Sequence, residues 1–235
     1  MKLEWMRDKQ AHALFWAVLD SKTLKFLESA PRPTILDVGG DDGNLTAPLA
    51  EKGCRVVVLD INRDALRLVP SEANPVRADV RRLPFKDGVF DGAAARATLH
   101  HVPDDLREAL AEISRILRPA GLLLLQEPLA GNPVYAMARR LFPTTWHDAN
   151  ERPLRWEEYR RSVQDYWDLS EVSPHFLLTY AVPFIVPRVR ISRLASETAL
   201  RHFDEFDRRL LRALPGLSKY AAYIHIFGRK RVPAT

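Results

Sequence analysis

The sequence predicts an α/β fold: an open, mostly parallel sheet with helices on both faces. Three observations predict it. Apolar, β-branched runs alternate with helix-patterned segments from residue 34 to 128. The runs are apolar on successive positions rather than every second one, the mark of strands buried on both sides. The first run, Thr34 to Val38, ends in the turn Gly39-Gly40-Asp41-Asp42-Gly43 and restarts as a helix-like segment. A strand that stops at such a turn leaves backbone N–H groups pointing outward, and glycine lets a ligand come close to the backbone.

The elements follow in order. Residues 8–29 have helical spacing, with Ala11, Leu14, Phe15, Val18 and Leu19 on one face, until Pro31 and Pro33 stop the pattern. Thr34–Val38 reads as a strand, Leu45–Lys52 as a helix, Arg55–Leu59 as a strand and Arg63–Leu68 as a short helix. Val76–Ala78 is a brief strand, and Val89–Ala95 a strand that follows the turn Lys86-Asp87-Gly88. Asp104–Leu117 is a helix ended by Pro119 and Gly121, and Leu122–Gln126 is a fully apolar strand. Beyond Pro128, the spacing predicts helices over Pro133–Phe142, Trp156–Tyr166 and Ile191–Leu214. Phe176–Tyr180 and Ala181–Val186 are strand-like but broken by prolines, and Tyr220–Phe227 is a final strand.

Composition narrows the class. The 235 residues suffice for one sizeable core with a small appended region. The net charge of +5 is spread over scattered arginines, with one cluster in the tail Arg229-Lys230-Arg231, so nucleic acid is an unlikely partner. A single cysteine, Cys54, excludes an internal disulfide and a cysteine-rich metal site, and no metal is expected. There is no signal-peptide pattern and no apolar run of about 18 residues, so the expected compartment is the cytoplasm. Oligomeric state is not legible.

Acidic residues follow the strands in order: Asp37 at the end of the first, Asp60 at the end of the second, Asp79 after the third. Ligands of open α/β sheets sit at the carboxyl ends of the strands. Asp60 there suits two ribose hydroxyls, with Ile61 against an adenine face. Asp79 can accept from an exocyclic amine beside the Val80 N–H. Asp37 can orient the loop or hold an ammonium through water. A lone aspartate at a strand end is more often a turn former; the series in register after a glycine turn favours a ligand. A dinucleotide fits poorly, because Asp41 and Asp42 would repel a pyrophosphate. S-adenosylmethionine, with a sulfonium, an ammonium and no phosphate, fits better.

Four segments then carry a family resemblance: ILDVGGDDGNLT, VVVLDINRDAL, ADVRRLPFKDGVFDGAAARATLHHV and LAEISRILRPAGLLLLQEP, together spanning residues 34–128. They resemble the class I S-adenosylmethionine-dependent methyltransferases of the small-molecule type. The resemblance implies a Rossmann-like seven-stranded sheet, mostly parallel with an antiparallel last strand, and a helical lid inserted in the C-terminal half. It divides the chain into an N-terminal helical segment (1–33), a cofactor-binding core (34–128), a substrate and lid region with strand six (129–218), and a last strand with a basic tail (219–235). It implies that Gly39, Gly40 and Gly43 flank the methionine part, that Asp60 holds the ribose, that Asp79 and Val80 read the adenine, and that Arg96 to His100 border the methyl. The family usually has glycine where Asp41 stands, and again where Ala120 stands in Arg118-Pro119-Ala120-Gly121. Asp41 either faces solvent or approaches the cofactor's cationic groups.

Methyl transfer is an in-line displacement that positioning can drive, with a general base needed only for an acceptor of high pKa. His100, His147 and Glu127 are the candidates for that base; His12 reads as a packing histidine. The acceptor is narrowed by exclusion. No Asn-Pro-Pro-Tyr tetrad follows the fourth strand, and the aromatic-rich second half suits an apolar or aromatic metabolite. Pro133–Phe142 is partly amphipathic, which permits peripheral membrane contact. The alternatives are an RNA or protein methyltransferase, or a fold left inactive by Asp41.

Overall fold

A computed structural model describes residues 32–41, 43–141, 151–181 and 193–232. The elements run β1 Thr34–Val38, α1 Thr46–Glu51, β2 Arg55–Asp60, α2 Arg63–Leu66, β3 Asn74–Arg77, β4 Phe90–Arg96, α3 Leu106–Ile116, β5 Leu117–Pro128, α4 Pro133–Leu141, α5 Trp156–Val163, β6 Trp167–His175, α6 Arg193–Ala213 and β7 Tyr223–Lys230. The seven strands form one sheet in the order β3-β2-β1-β4-β5-β7-β6. β1 to β5 pair in parallel, while β7 runs antiparallel to both neighbours. The strand order turns back between β1 and β4, so the switch point of the sheet lies at the end of β1.

The continuous apolar pattern of the central strands is explained by two cores. Leu36 and Val38 of β1 enter one cluster with Leu106, Leu110 and Ile113 of α3 and Tyr159 and Val163 of α5. Ile35, one residue before Leu36 and so on the opposite face, enters the other with Leu45, Leu49, Val56 and Val58. Alternate side chains of a strand point to opposite faces, and here both faces are covered. In α3 the buried residues Leu106, Ala109, Leu110, Ile113 and Ile116 follow helical spacing. Each buried leucine or isoleucine contributes on the order of 2 kcal/mol.

The C-terminal half departs from expectation in three places. The sixth strand is Trp167–His175, not the 176–186 region. It is an edge strand paired only with β7, and its half-exposed face carries Asp168, Glu171 and Ser173, so it shows no apolar run. The expected strand Phe176–Tyr180 is instead a bend leading into a short 3-10 turn, Thr179–Ala181. The basic cluster is no loose tail: Arg229 and Lys230 belong to β7, Lys230 Nζ donates to Leu117 O at 2.8 Å, and Arg231 Nε donates to Asp168 Oδ1 at 2.8 Å. Helix α5 packs with α3 in the layer over the sheet, while α6 contacts β6 and the 3-10 turns Thr179–Ala181 and Pro215–Tyr220. The expected helix at 8–29, the Ala181–Val186 strand beyond its first residue, and His147 lie outside the described residues. Among the described residues no helix is long and apolar enough to cross a membrane.

Candidate functional site

The carboxyl ends of β1, β2 and β4 meet around the glycine loop. Gly39 N–H donates to Leu59 O at 2.7 Å and Gly40 N–H to the same oxygen at 3.2 Å, which folds the loop back over the end of β2. The glycines are required by their neighbours. A Cβ on Gly40 would lie 2.5 Å from Val58 Cγ1 and 2.9 Å from Asp37 Oδ2, and Gly39, at φ +64°, would meet Thr98 at 2.3 Å. Thr98 Oγ1 in turn lies 3.0 Å from Val38 O and from Arg96 O, so the end of β4 is stitched to the loop.

Asp41 occupies the left-handed region at φ +47° and is exposed. That conformation explains why glycine is usual there. Aspartate is among the few residues that tolerate it. Its N–H donates to Asp60 Oδ2 at 3.1 Å, while Asn62 N–H donates to Asp60 Oδ1 at 2.7 Å. Asp60 is thereby aimed by two backbone donors, one on each oxygen, and each oxygen keeps a further lone pair. Ile61 beside it is 63% exposed, as a residue that lies against a ligand face would be.

Asp37 is buried beneath the loop. Thr46 Oγ1 donates to its Oδ2 at 2.6 Å, and its Oδ1 is buried without a hydrogen-bond partner. Burial pushes its carboxyl up to about 6, against the downward pull of the Thr46 hydrogen bond and the Arg96 charge. Arg96 is itself buried and donates through Nε to Gln126 Oε1 at 2.6 Å across the β4–β5 pair.

Asp79 and Val80 follow β3. Val80 is buried and its side chain belongs to the core. Asp79 accepts from Arg81 on both oxygens, from Nη2 at 2.6 Å and from Nε at 3.0 Å, and the Arg81 hydrogen bonds hold its carboxyl below the usual carboxylate range. Arg81 also reaches Asp105 at 2.7 Å. Asp79 is therefore part of an ion-pair network at the edge of the site.

Glu127, at the end of β5, is completely buried and collects donors. Its Oε1 accepts from Thr98 N–H and Leu99 N–H, each at 2.9 Å. Its Oε2 lies 3.0 Å from His100 Nδ1 and accepts from Tyr159 OH at 3.3 Å. A carboxylate so occupied is a clamp on the turn after β4 rather than a proton acceptor for a substrate. His100 is buried against it. Thr46 and Tyr159 were given no role of their own by the sequence, since each is an unremarkable polar or aromatic residue until the fold brings it to a carboxylate; Thr98 falls within the Arg96–His100 stretch expected to border the methyl. A surface depression lined by Arg32, Ala50, Gly53, Cys54 and Arg55 opens at the amino ends of β1 and β2, the opposite edge from the loop. Cys54 there is buried, and burial pushes its thiol up.

The profile of the family described as "Methyltransferase domain" matches residues 36–125. This stretch of the chain is similar to a methyltransferase domain. The matched stretch runs from the middle of β1 into β5 and includes the glycine loop and the ends of β2 and β4. Among curated relatives, the ubiquinone/menaquinone biosynthesis C-methyltransferase UbiE of Vibrio cholerae is 35% identical over 127 residues, 48% of this chain and 47% of that protein. The O-methyltransferase cnsE of Penicillium expansum is 34% identical over 162 residues, 62% of this chain and 58% of that protein. The chain thus spans about half the length of the curated relatives it matches. A SAM-dependent methyltransferase from Archaeoglobus fulgidus superposes with a TM-score of 0.63 over 93% of this chain and 94% of that one, at 17% identity, which speaks for the fold.

Proposed function

We propose that the protein is an S-adenosylmethionine-dependent methyltransferase acting on a small, apolar or aromatic metabolite. The observation that carries this reading is Asp60, half-buried at the end of β2 and aimed by the Asp41 and Asn62 N–H groups, with a lone pair to spare on each oxygen for a pair of ribose hydroxyls. The partnerless Oδ1 of Asp37 is a second fit, since a buried carboxylate oxygen without a donor suits a cofactor ammonium. Asp41 is exposed, which favours an open loop over a blocked one and counts against the inactive-fold alternative. Asp79 would read the adenine only while sharing its oxygens with Arg81.

The bound cofactor would supply an already activated methyl group. The chain's own part is positioning: the Gly39–Gly43 loop and Asp60 would hold the cofactor, and the Thr98–His100 turn, fixed by Glu127, would border the acceptor. The name of UbiE refers to ubiquinone/menaquinone biosynthesis, which supports a metabolite acceptor over a macromolecule. The test is transfer of a labelled methyl group from S-adenosylmethionine to separate pools of apolar and phenolic metabolites, total RNA and a protein extract. Label in the small-molecule pool alone is expected; label in RNA or protein alone would overturn the acceptor class.

A further inference from the structure

At the end of β4, on the acceptor side of the proposed site, three metal-ligating side chains converge. His100, His101 and Glu151 each present a donor atom, and the three atoms lie within 4.8 Å of one another. The frame around them is rigid. His100 and His101 share a short 3-10 turn, Leu99–His101, whose entry is clamped by Glu127. Arg152 N–H donates to His100 O at 3.0 Å, which bonds the backbone next to Glu151 to the backbone of His100. The two imidazole centroids are 4.3 Å apart.

His100 decides the chemistry. Its Nδ1 lies 3.0 Å from Glu127 Oε2, and its Nε2 lies 3.8 Å from Glu151 Oε1. With the proton on Nδ1, directed at Glu127, Nε2 turns a lone pair toward a carboxylate oxygen. Two acceptors that face each other at that distance repel, and they are too far apart for a hydrogen bond. An ion about 2.0–2.2 Å from each would bridge them. The side chains of Glu127 and Glu151 are only 0% and 2% exposed, so the imidazole has a desolvated carboxyl group near each ring nitrogen. A carboxylate on the far ring nitrogen is also the arrangement that fixes a metal-binding imidazole in orientation and tautomer.

We propose that His100, His101 and Glu151 form a site for a divalent first-row transition ion of the zinc type, oriented by Glu127. Two imidazoles and one carboxylate leave one position of a tetrahedral set for water or an oxygen of the acceptor. This departs from the sequence-based expectation of no metal, because Glu151 is remote from the histidine pair in sequence. The proposal does not depend on the cofactor reading.

The test is calorimetric titration of the chelator-treated full chain with Zn2+, alongside visible absorption with Co2+. One equivalent of each ion is expected, with the visible bands of low-coordinate cobalt. His101→Ala and Glu151→Gln should each weaken Zn2+ binding by at least about tenfold, and Glu127→Gln by roughly 10- to 100-fold. His101 is only partly buried, so its variant keeps the fold, which a thermal melt without metal checks. Absence of Zn2+ binding, or equal binding by wild type and a His101→Ala/Glu151→Gln double variant, would overturn the proposal. Loss of S-adenosylhomocysteine binding in an Asp60 variant with Zn2+ binding intact would keep the two readings separate.

Discussion

Two carboxylates at strand ends on the same edge of the sheet, Asp60 on β2 and Glu127 on β5, have opposite environments. Asp60 is half-buried and accepts one backbone N–H on each oxygen. Glu127 is wholly buried and is saturated by Thr98, Leu99, His100 and Tyr159. The first is aimed and still available; the second is consumed in holding a turn. Position at the carboxyl edge of a sheet is therefore insufficient to assign a carboxylate to a ligand. The number of donors already on its oxygens separates a binding residue from a clamp.

The largest effect that would sharpen this contrast is on stability. Glu127→Ala should destabilise the fold by more than about 4 kcal/mol, since it strands several buried donors at once. Asp60→Ala should cost under about 1 kcal/mol in the ligand-free chain, because the N–H groups it releases are near the surface. Denaturant midpoints of the two variants measure the difference, and equal losses would break the comparison.

Asp37 gives the next effect, through pH. Its folded pKa of about 6 lies above the ordinary 3.8. The native state thus binds the proton more tightly than the unfolded chain, so this contribution to stability is present below about 3.8 and is lost as pH rises through 6. The gap corresponds to roughly 3 kcal/mol. Asp37→Asn should flatten the stability profile across that window. Because a bound ammonium favours the ionised form, affinity for the cofactor should rise from pH 5 to pH 7 in the wild type (a span chosen about the value of about 6) and lose that slope in Asp37→Asn.

The smallest effects concern two left-handed residues. Asp41, at φ +47°, and Ala120, at φ +59°, both occupy a conformation that glycine adopts freely. Ala120→Gly should stabilise by up to about 1 kcal/mol, and Asp41→Gly by less, since aspartate already tolerates the region. Thermal melts check the order of the two.

These contrasts show what the chain made legible. The alternation of apolar runs and helical segments identified β1, β2, β4, β5 and β7, because these strands carry apolar runs; β3, a short exposed edge strand, was met only in part, at Val76 and Arg77. β6 escaped because an edge strand half in solvent has no such pattern. Asp37, the glycine loop and Asp60 were readable since their spacing along the chain is their spacing at the sheet edge. Glu151 and Tyr159 were not, because they reach His100 and Glu127 only through long-range packing. The left-handed backbone at Asp41 and Ala120 was foreshadowed by the family's preference for glycine at both positions.

The central claim is that the loop between β1 and α1, together with Asp60, forms an S-adenosylmethionine site. Calorimetric titration with S-adenosylhomocysteine tests it most directly. Saturable one-to-one binding by the wild type is expected, with a loss of roughly 10- to 100-fold in Asp60→Ala, the effect of removing two hydrogen bonds to a charged group. No binding by a folded wild type, or equal binding by the variant, would contradict it.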